Sequence, residues 1–323
     1  TEILSAIKDI NILKVEVAYP FLMEIIRDFN DNIITREELL FVLRMVESYV
    51  FRRAICGIPT NSLNKTFATL YREINLENYV ESLRAALLIK DSYRRFPSDE
   101  EFRREFVIKD LYNFRNRNYL LRKLENFNRR VELVNIENYT IEHILPQNEN
   151  LSGKWRTELG VNWKSIQERY LHTIGNLTLT GYNPDYSDKS FIEKRDYPDN
   201  KGFRNSPLSL NQGLSSLEHW NEKTIQERAK RLAKEAMNIW SKLDLPDDIL
   251  QKYRDTPTTG DDIQYDITHY EYLHGKILDL FNLLEKRIVN LDSSVRIEYK
   301  KLYIAFKAVT NFVDVVPQKS RLR

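Results

Sequence analysis

Glu142 and His143 stand side by side in the run Tyr139-Thr-Ile-Glu142-His143-Ile-Leu-Pro146-Gln147. A carboxylate offers a hard oxygen and an imidazole titrates near neutrality, so the pair is equipped for chemistry. About thirty residues on, Gly175-Asn176-Leu-Thr-Leu-Thr-Gly-Tyr-Asn183 adds two amides. Taken singly, neither piece says much. A Glu-His pair at a strand end is usually a solvated edge, and Gly-Asn ahead of a strand is ordinarily a turn. Together they hold the only chemistry visible in the chain.

The elements that must position these groups can be read from the surrounding residues. Tyr139 to Ile141 is a short extended run, and the segment is stopped at Pro146, which neither continues a helix nor donates to a ladder. The end of a strand therefore presents Glu142 and His143 together. Leu177-Thr-Leu-Thr180 alternates apolar and β-branched residues between glycines, which reads as a second strand of about four residues. After Tyr182-Asn183-Pro184, the segment Ser187 to Arg195 spaces Phe191, Ile192 and Arg195 for one helical face. The order is strand, strand, helix.

A hairpin packed on one helix, with a carboxylate-His pair on its first strand and an Asn at the helix approach, resembles the ββα-metal fold of HNH nucleases. Ile-Glu142-His143-Ile-Leu-Pro146-Gln, then Ile-Gly-Asn176-Leu-Thr-Leu, then Asn183 and Phe191-x-x-Lys194 are more closely similar to the HNH domain at the C-terminal end of GmrSD-type, modification-dependent (type IV) restriction enzymes. The resemblance is best over residues of roughly 130 to 240. It implies a metal-dependent DNA endonuclease of an antiphage, modification-dependent restriction system. His143 would be the general base, Glu142 would ligate a divalent cation, and Asn183 would add its amide oxygen. Related sequences often carry a second Asn where this chain has Ser187-Asp188, so Asp188 can replace or join Asn183 at the ion. Asn176, placed with His143 in the catalytic set, would tie the loop to the backbone near His143 and hold its tautomer. Lys194, Arg195, Arg129 and Arg130 are the residues expected to contact DNA.

Oxygen-rich ligation favours Mg or Mn as the ion, and the lack of a nearby Cys argues against a closed zinc site. His172, four residues before Asn176, reads as packed or capping rather than as a ligand. Full-length enzymes of this type carry a ParB-like domain that hydrolyses nucleotide, so such a domain, upstream or separate, is an expected partner. The chain has neither its motifs nor a Gly-rich phosphate loop. The alternative is a non-catalytic nucleic-acid-binding or scaffolding module, against which the intact Glu142, His143, Asn176 and Asn183 speak. An RNA-directed nuclease toxin is a weaker third, because no aromatic-rich platform for single strands is evident.

Composition sets the frame. The 323 residues suffice for two or three domains, and beginning at Thr1 without Met reads as a fragment or a processed chain. A net charge of +2 with 30% charged residues rules out a simple polycationic tail but not a local basic face. The single cysteine, Cys56, forms no internal disulfide and fits a reducing compartment. No apolar run approaches the ~20 residues that span a bilayer, and the N-terminus lacks a signal-peptide layout. A soluble, cytoplasmic protein with no membrane association is expected.

Residues 1–130 read as a helical domain. Thr35-x-x-Glu38 is a capping box for a helix through Leu39, Leu43, Val46 and Val50 that Gly57-Ile-Pro59 stops, and Ser98-x-x-Glu101 opens another through Phe102 and Phe106. Tyr49 to Asn61 is similar to the helical region ahead of the HNH domain in the same enzymes, or else is a buried apolar face with Arg52 and Arg53 on a solvated edge. Arg115 to Arg129-Arg130, interleaved with Tyr112, Phe114, Tyr119 and Phe127, is either a phosphate-contacting surface or a merely amphipathic helix. Residues 131–245 read as the HNH-like ββα-metal nuclease domain with flanking helices that the resemblance implies. Within it Trp155, Trp163 and Tyr170 fit a packed helical insertion, and Trp220 to Trp240 is a helix capped at Thr224 with Ile225, Ala229, Leu232, Ala236 and Trp240 as its stripe. Arg228, Lys230, Arg231 and Lys234 lie off that stripe, facing phosphate or simply solvated. Residues 246–262 have linker composition. Residues 263–323 read as a small α+β unit with a helix over Tyr272 to Val289 and strands at 295–299, 302–306 and 312–316. It resembles the accessory domain appended to such nucleases, cut short before its final strands. The fold class expected is mostly α with a small α+β nuclease core, flanked by a helical N-terminal domain and a C-terminal α+β domain.

Overall fold

The computed structural model describes residues 2–129, 131–255, 266–291, 295–300, 302–308 and 311–323, in two units, Thr1–Arg254 and Asp255–Arg323. The first unit opens with seven helices: α1 (Glu2–Leu13), α2 (Tyr19–Asn30), α3 (Arg36–Ile55), α4 (Asn61–Leu70), α5 (Tyr79–Leu88), α6 (Asp99–Ile108) and α7 (Arg117–Asn126). The capping box read in the sequence starts α3, where Glu38 N–H donates to Thr35 Oγ1 at 3.2 Å and Thr35 N–H to the Glu38 carboxylate at 2.8 Å. At its far end Gly57, with φ +65°, makes the turn before Pro59. This helix is wrapped on every side, and its Leu43, Val46, Tyr49 and Phe51 are buried.

Arg52 and Arg53, expected on a solvated edge as one of two readings, are buried instead. Arg52 reaches the carbonyls of Trp240 at 2.6 Å and Pro97 at 3.1 Å and pairs with Asp99. Arg53 bonds Tyr93 O at 2.6 Å, Pro59 O at 3.0 Å and the Ser62 hydroxyl at 2.6 Å. A guanidinium has five donors in a fixed fork, so backbone carbonyls from several loops can satisfy it where no solvent reaches.

Strand β1 (Thr140–His143) pairs antiparallel with β2 (Leu177–Thr180), Glu142 opposite Thr178 and His143 opposite Leu177. Between them lie α8 (Gly153–Leu159) and α9 (Trp163–Tyr170), whose Trp155 and Tyr170 are buried as a packed insertion should be. Two short helices follow, α10 (Asn183–Tyr186) and α11 (Phe191–Arg195), where the spacing suggested one. The break falls at Ser187, a non-glycine residue at φ +44°, and Ser190 with Glu193 caps the restart. Phe191 turns into the core while Ile192 stays 38% exposed, so the buried face is narrower than expected.

Helix α12 (Glu222–Ile239) is capped by Asn221 rather than Thr224, which serves as the third residue of the box. Its Leu232, Ala233 and Ala236, with Trp240 beyond it, join the core of α1–α7 and meet there Leu177 and Leu179 of β2. Trp240 stacks on Phe51 with ring centroids 4.0 Å apart. A second core holds Ile144, Leu145, Trp155, Phe191, Trp220 and Ile225. The hairpin is thus covered on both sides, and all four residues of β2 are buried. The boundary expected near residue 130 does not separate two bodies, because α12 and β2 complete the core that α1–α7 begin.

Residues 247–255, expected to be linker, form helix α13 (Asp247–Asp255), and 256–262 lie outside the described residues. In the second unit, α14 (Gly275–Val289) accompanies an antiparallel sheet of β3 (Arg296–Tyr299), β4 (Ile304–Lys307) and β5 (Asn311–Val315). A small hairpin of β6 (Pro317–Gln318) and β7 (Arg321–Leu322) comes after it. Phe281, Ile304 and Phe306 are buried at its centre. The chain is mostly helical with small sheets, in line with the fold class read from the sequence. No described helix is long and apolar enough to cross a membrane.

Candidate active site

At the end of the hairpin the structure opens a cleft of about 330 Å³ lined by Glu142, His143, Pro146, Gln147, Asn148, Asn183, Ser187 and Asp188. Cross-strand register and the turn at Pro146 bring β1 here, and the segment after β2 closes the other wall. Asn183 donates its Nδ2 to Ile141 O at 2.9 Å, which leaves Oδ1 as the amide atom for the cleft. Asp188, just past the strained Ser187, is exposed.

Lys194, expected to contact DNA, is instead fully buried beneath this cleft. Its ammonium donates to Glu142 Oε1 at 2.6 Å, His143 O at 3.0 Å and Ile144 O at 3.1 Å. Three donors meet three acceptors, which is how a buried lysine escapes the full cost of lost hydration. Burial raises the Glu142 pKa against the opposing pull of Lys194, and burial lowers that of Lys194. The cation fixes Glu142 and the backbone of the next two residues in one place.

His143 is 4% exposed. Burial first, then the neighbouring His172 and Lys194, push its pKa down to about 3, while Asp110 pulls the other way. The ring is therefore neutral near pH 7, the form a proton acceptor needs. Its Nε2 lies 3.0 Å from His172 Nδ1. Tyr112 closes the group, stacked on His172 at 5.2 Å and edge-on to His143 at 4.5 Å.

Asn176 is fully buried and does not reach the cleft. Its Oδ1 accepts Leu145 N–H at 2.7 Å and Trp220 Nε1–H at 3.2 Å, and its Nδ2 donates to Leu145 O at 2.9 Å and Leu171 O at 3.0 Å. It ties the loop to the backbone just past His143, as the resemblance implied, but does not touch the imidazole. Behind it, Arg228 is buried rather than turned to phosphate. Its Nη1 donates to Ile174 O, Gly175 O and Leu177 O at 2.8–2.9 Å, and its Nη2 to Leu210 O at 3.0 Å. Gly175 allows that approach: a Cβ there would stand 2.5 Å from Ile225 O of α12.

The other basic residues expected at DNA are largely committed to the protein. Arg195 is 5% exposed and holds Asp196, Glu218 and Leu217 O. Arg129 donates to Pro207 O at 2.6 Å and Glu125 at 3.0 Å, and Arg130 lies outside the described residues. Arg122 and Lys123 turn inward to Asp9 and Arg117 bonds Tyr112 O, so of the two readings of that stretch the packed amphipathic helix holds for them, while Arg115 stays exposed. Lys230, Arg231 and Lys234 on α12 are exposed. Two neighbours of the site escaped the sequence reading, His172 as a partner of His143 and Lys194 as the partner of Glu142. The motif Phe191-x-x-Lys194 carried the only signal of the second.

Residues 96–235 match the family of GmrSD restriction endonucleases, C-terminal domain. The matched span contains every site residue named above and runs across position 130 without a break. The match supports a GmrSD-type restriction enzyme family and a restriction-type nuclease function. Residues 268–323 match a domain of unknown function (DUF5655). No curated protein and no solved structure matches the chain.

Proposed function

We propose that this chain is the HNH-type nuclease part of an antiphage, modification-dependent restriction system and hydrolyses phosphodiester bonds of DNA, with His143 as the general base. The observation that carries this reading is the shared cleft. Glu142 and His143 come to it from β1, and Asn183 and Asp188 from the segment after β2. Buried and neutral, His143 can accept the proton of an attacking water at the cleft wall.

The donor set suits a divalent ion, Mg or Mn. Glu142 and Asp188 offer carboxylates and Asn183 an amide oxygen, all hard ligands. Among the described residues no three of His, Cys, Asp and Glu gather as a closed metal cage, so the ion would keep several waters of its own. Bound there, it would neutralise charge on the phosphoryl and leaving oxygens. Lys194 fixes Glu142 through Oε1 and leaves Oε2 for the ion. Asn176 and Arg228 hold the hairpin so that these groups keep their spacing. A nucleotide-hydrolysing ParB-like domain, upstream or separate, is the partner proposed to control cleavage.

Supercoiled plasmid incubated with the protein tests the reading. Conversion to nicked or linear DNA is expected with added Mg or Mn and is expected to stop with excess chelator. Cleavage undiminished by chelator would remove the ion from the mechanism.

A further inference from the structure

We propose that His172 is a positioning residue for His143: its Nδ1 accepts the hydrogen carried on His143 Nε2 and so leaves Nδ1 of His143 as the bare nitrogen for the cleft. The reaction it serves rests on the nuclease reading above. The two nitrogens are 3.0 Å apart. In a neutral imidazole one nitrogen donates and the other accepts, so a hydrogen bond at one selects the state of the other. Among the described residues no other side chain bonds the His143 ring, and Asn176, the residue expected to fix it, spends its amide on Leu145, Leu171 and Trp220.

His172 is itself held on three sides. Its carbonyl accepts the N–H of Leu111 at 2.9 Å and of Tyr112 at 3.3 Å. The Tyr112 ring stacks on its imidazole with an interplanar angle of 13°. The Asp110 carboxylate, anchored by Asn113 N–H at 2.9 Å and Asn113 Nδ2 at 2.8 Å, lies close enough for its charge to act on both imidazoles. The segment between α6 and α7 thus carries the device that orients a side chain on β1. With His172 accepting at Nδ1, its own hydrogen sits on Nε2. When His143 takes a proton from water at Nδ1 it becomes an imidazolium whose Nε2–H still points at His172. No proton need cross between the rings, and Asp110 offsets the new positive charge.

Two variants separate positioning from packing. His172→Phe keeps a ring against Tyr112 but has no acceptor, whereas His172→Asn places an amide oxygen near the position of Nδ1. Nitrogen-15 spectra of the imidazoles read the tautomer directly, and with five histidines in the chain each is assignable by single replacement. His143 is expected to carry its hydrogen on Nε2 in the wild type and in His172→Asn, and to lose that preference in His172→Phe. In plasmid cleavage, His172→Phe is expected to lower kcat about ten- to a hundredfold with KM little changed, and His172→Asn to recover most of it. An Nδ1–H tautomer in the wild type, an unchanged Nε2–H preference in His172→Phe, or a kcat in His172→Phe equal to wild type would overturn the proposal. Should the wild type not cleave at all, the nuclease reading fails, and the spectra alone still decide whether His172 sets the tautomer of His143.

Discussion

His143→Ala is expected to slow plasmid cleavage by about a hundredfold or more while the protein stays folded, because positioned general bases contribute factors of that order and more. The imidazole lines the cleft that Glu142, Asn183 and Asp188 also line. Its depressed pKa keeps it neutral near pH 7, so the wild type has its acceptor ready without first shedding a proton. The side chain contributes a hydrogen bond to His172 and the contact with Tyr112, so the variant loses chemistry far more than architecture. All four tryptophans, Trp155, Trp163, Trp220 and Trp240, lie in the first unit. Their fluorescence in a urea titration therefore reports the folding of the unit that holds the site, and separates a dead enzyme from an unfolded one. Equal cleavage by wild type and variant would exclude His143 as the base. Cleavage by neither would favour a module that binds nucleic acid or scaffolds a complex without cutting.

Replacing Arg228 by Met is the second large effect expected, this time on stability. The guanidinium is the shared donor for four backbone carbonyls: those of Ile174, Gly175 and Leu177 around the start of β2, and that of Leu210. Each carbonyl left buried without a donor costs on the order of 1–3 kcal/mol. Burying the arginine carries its own penalty, visible in a pKa pulled down to about 9, and that penalty disappears with the charge. Four orphaned acceptors outweigh it, for a net loss of about 3–5 kcal/mol, the range found when one partner of a buried polar group is removed. For a unit of this size that lowers Tm by roughly 10 °C. A variant within about 1 kcal/mol of wild type in the same fluorescence titration would show that the arginine does not pin the hairpin.

The sequence carried the local signals of this fold well. Thr35 with Glu38, Ser98 with Glu101, the Leu177–Thr180 alternation and the Pro146 stop each act within a few residues, and each appears where it was read. The charged residues misled for one physical reason. Arg52, Arg53, Lys194 and Arg228 look turned to solvent or to DNA in a helical pattern, yet their partners are carbonyls, a hydroxyl and two carboxylates brought from elsewhere by the tertiary fold. Arg52 to Trp240 and Lys194 to Glu142 span 188 and 52 residues, and no pattern within one helix encodes such a pairing. The boundary near residue 130 failed for the same reason, since α12 returns late in the chain to finish a core begun in α1. At the site, Glu142, His143 and Asn183 could be picked out because their motifs are short and characteristic. His172 could not, because what makes it a neighbour of His143 is the hairpin end together with Leu111 and Tyr112, which hold its carbonyl from outside the motif.

The central claim is that a divalent cation sits between Glu142 and the residues after β2, within reach of His143. Crystals soaked in manganese and measured at an energy where that metal scatters anomalously test it directly. One peak is predicted in the cleft, beside the Glu142 carboxylate and the Asn183 amide oxygen or the Asp188 carboxylate, the residues that would hold the ion. A peak elsewhere in the protein, or none in the cleft at saturating manganese, would contradict the claim.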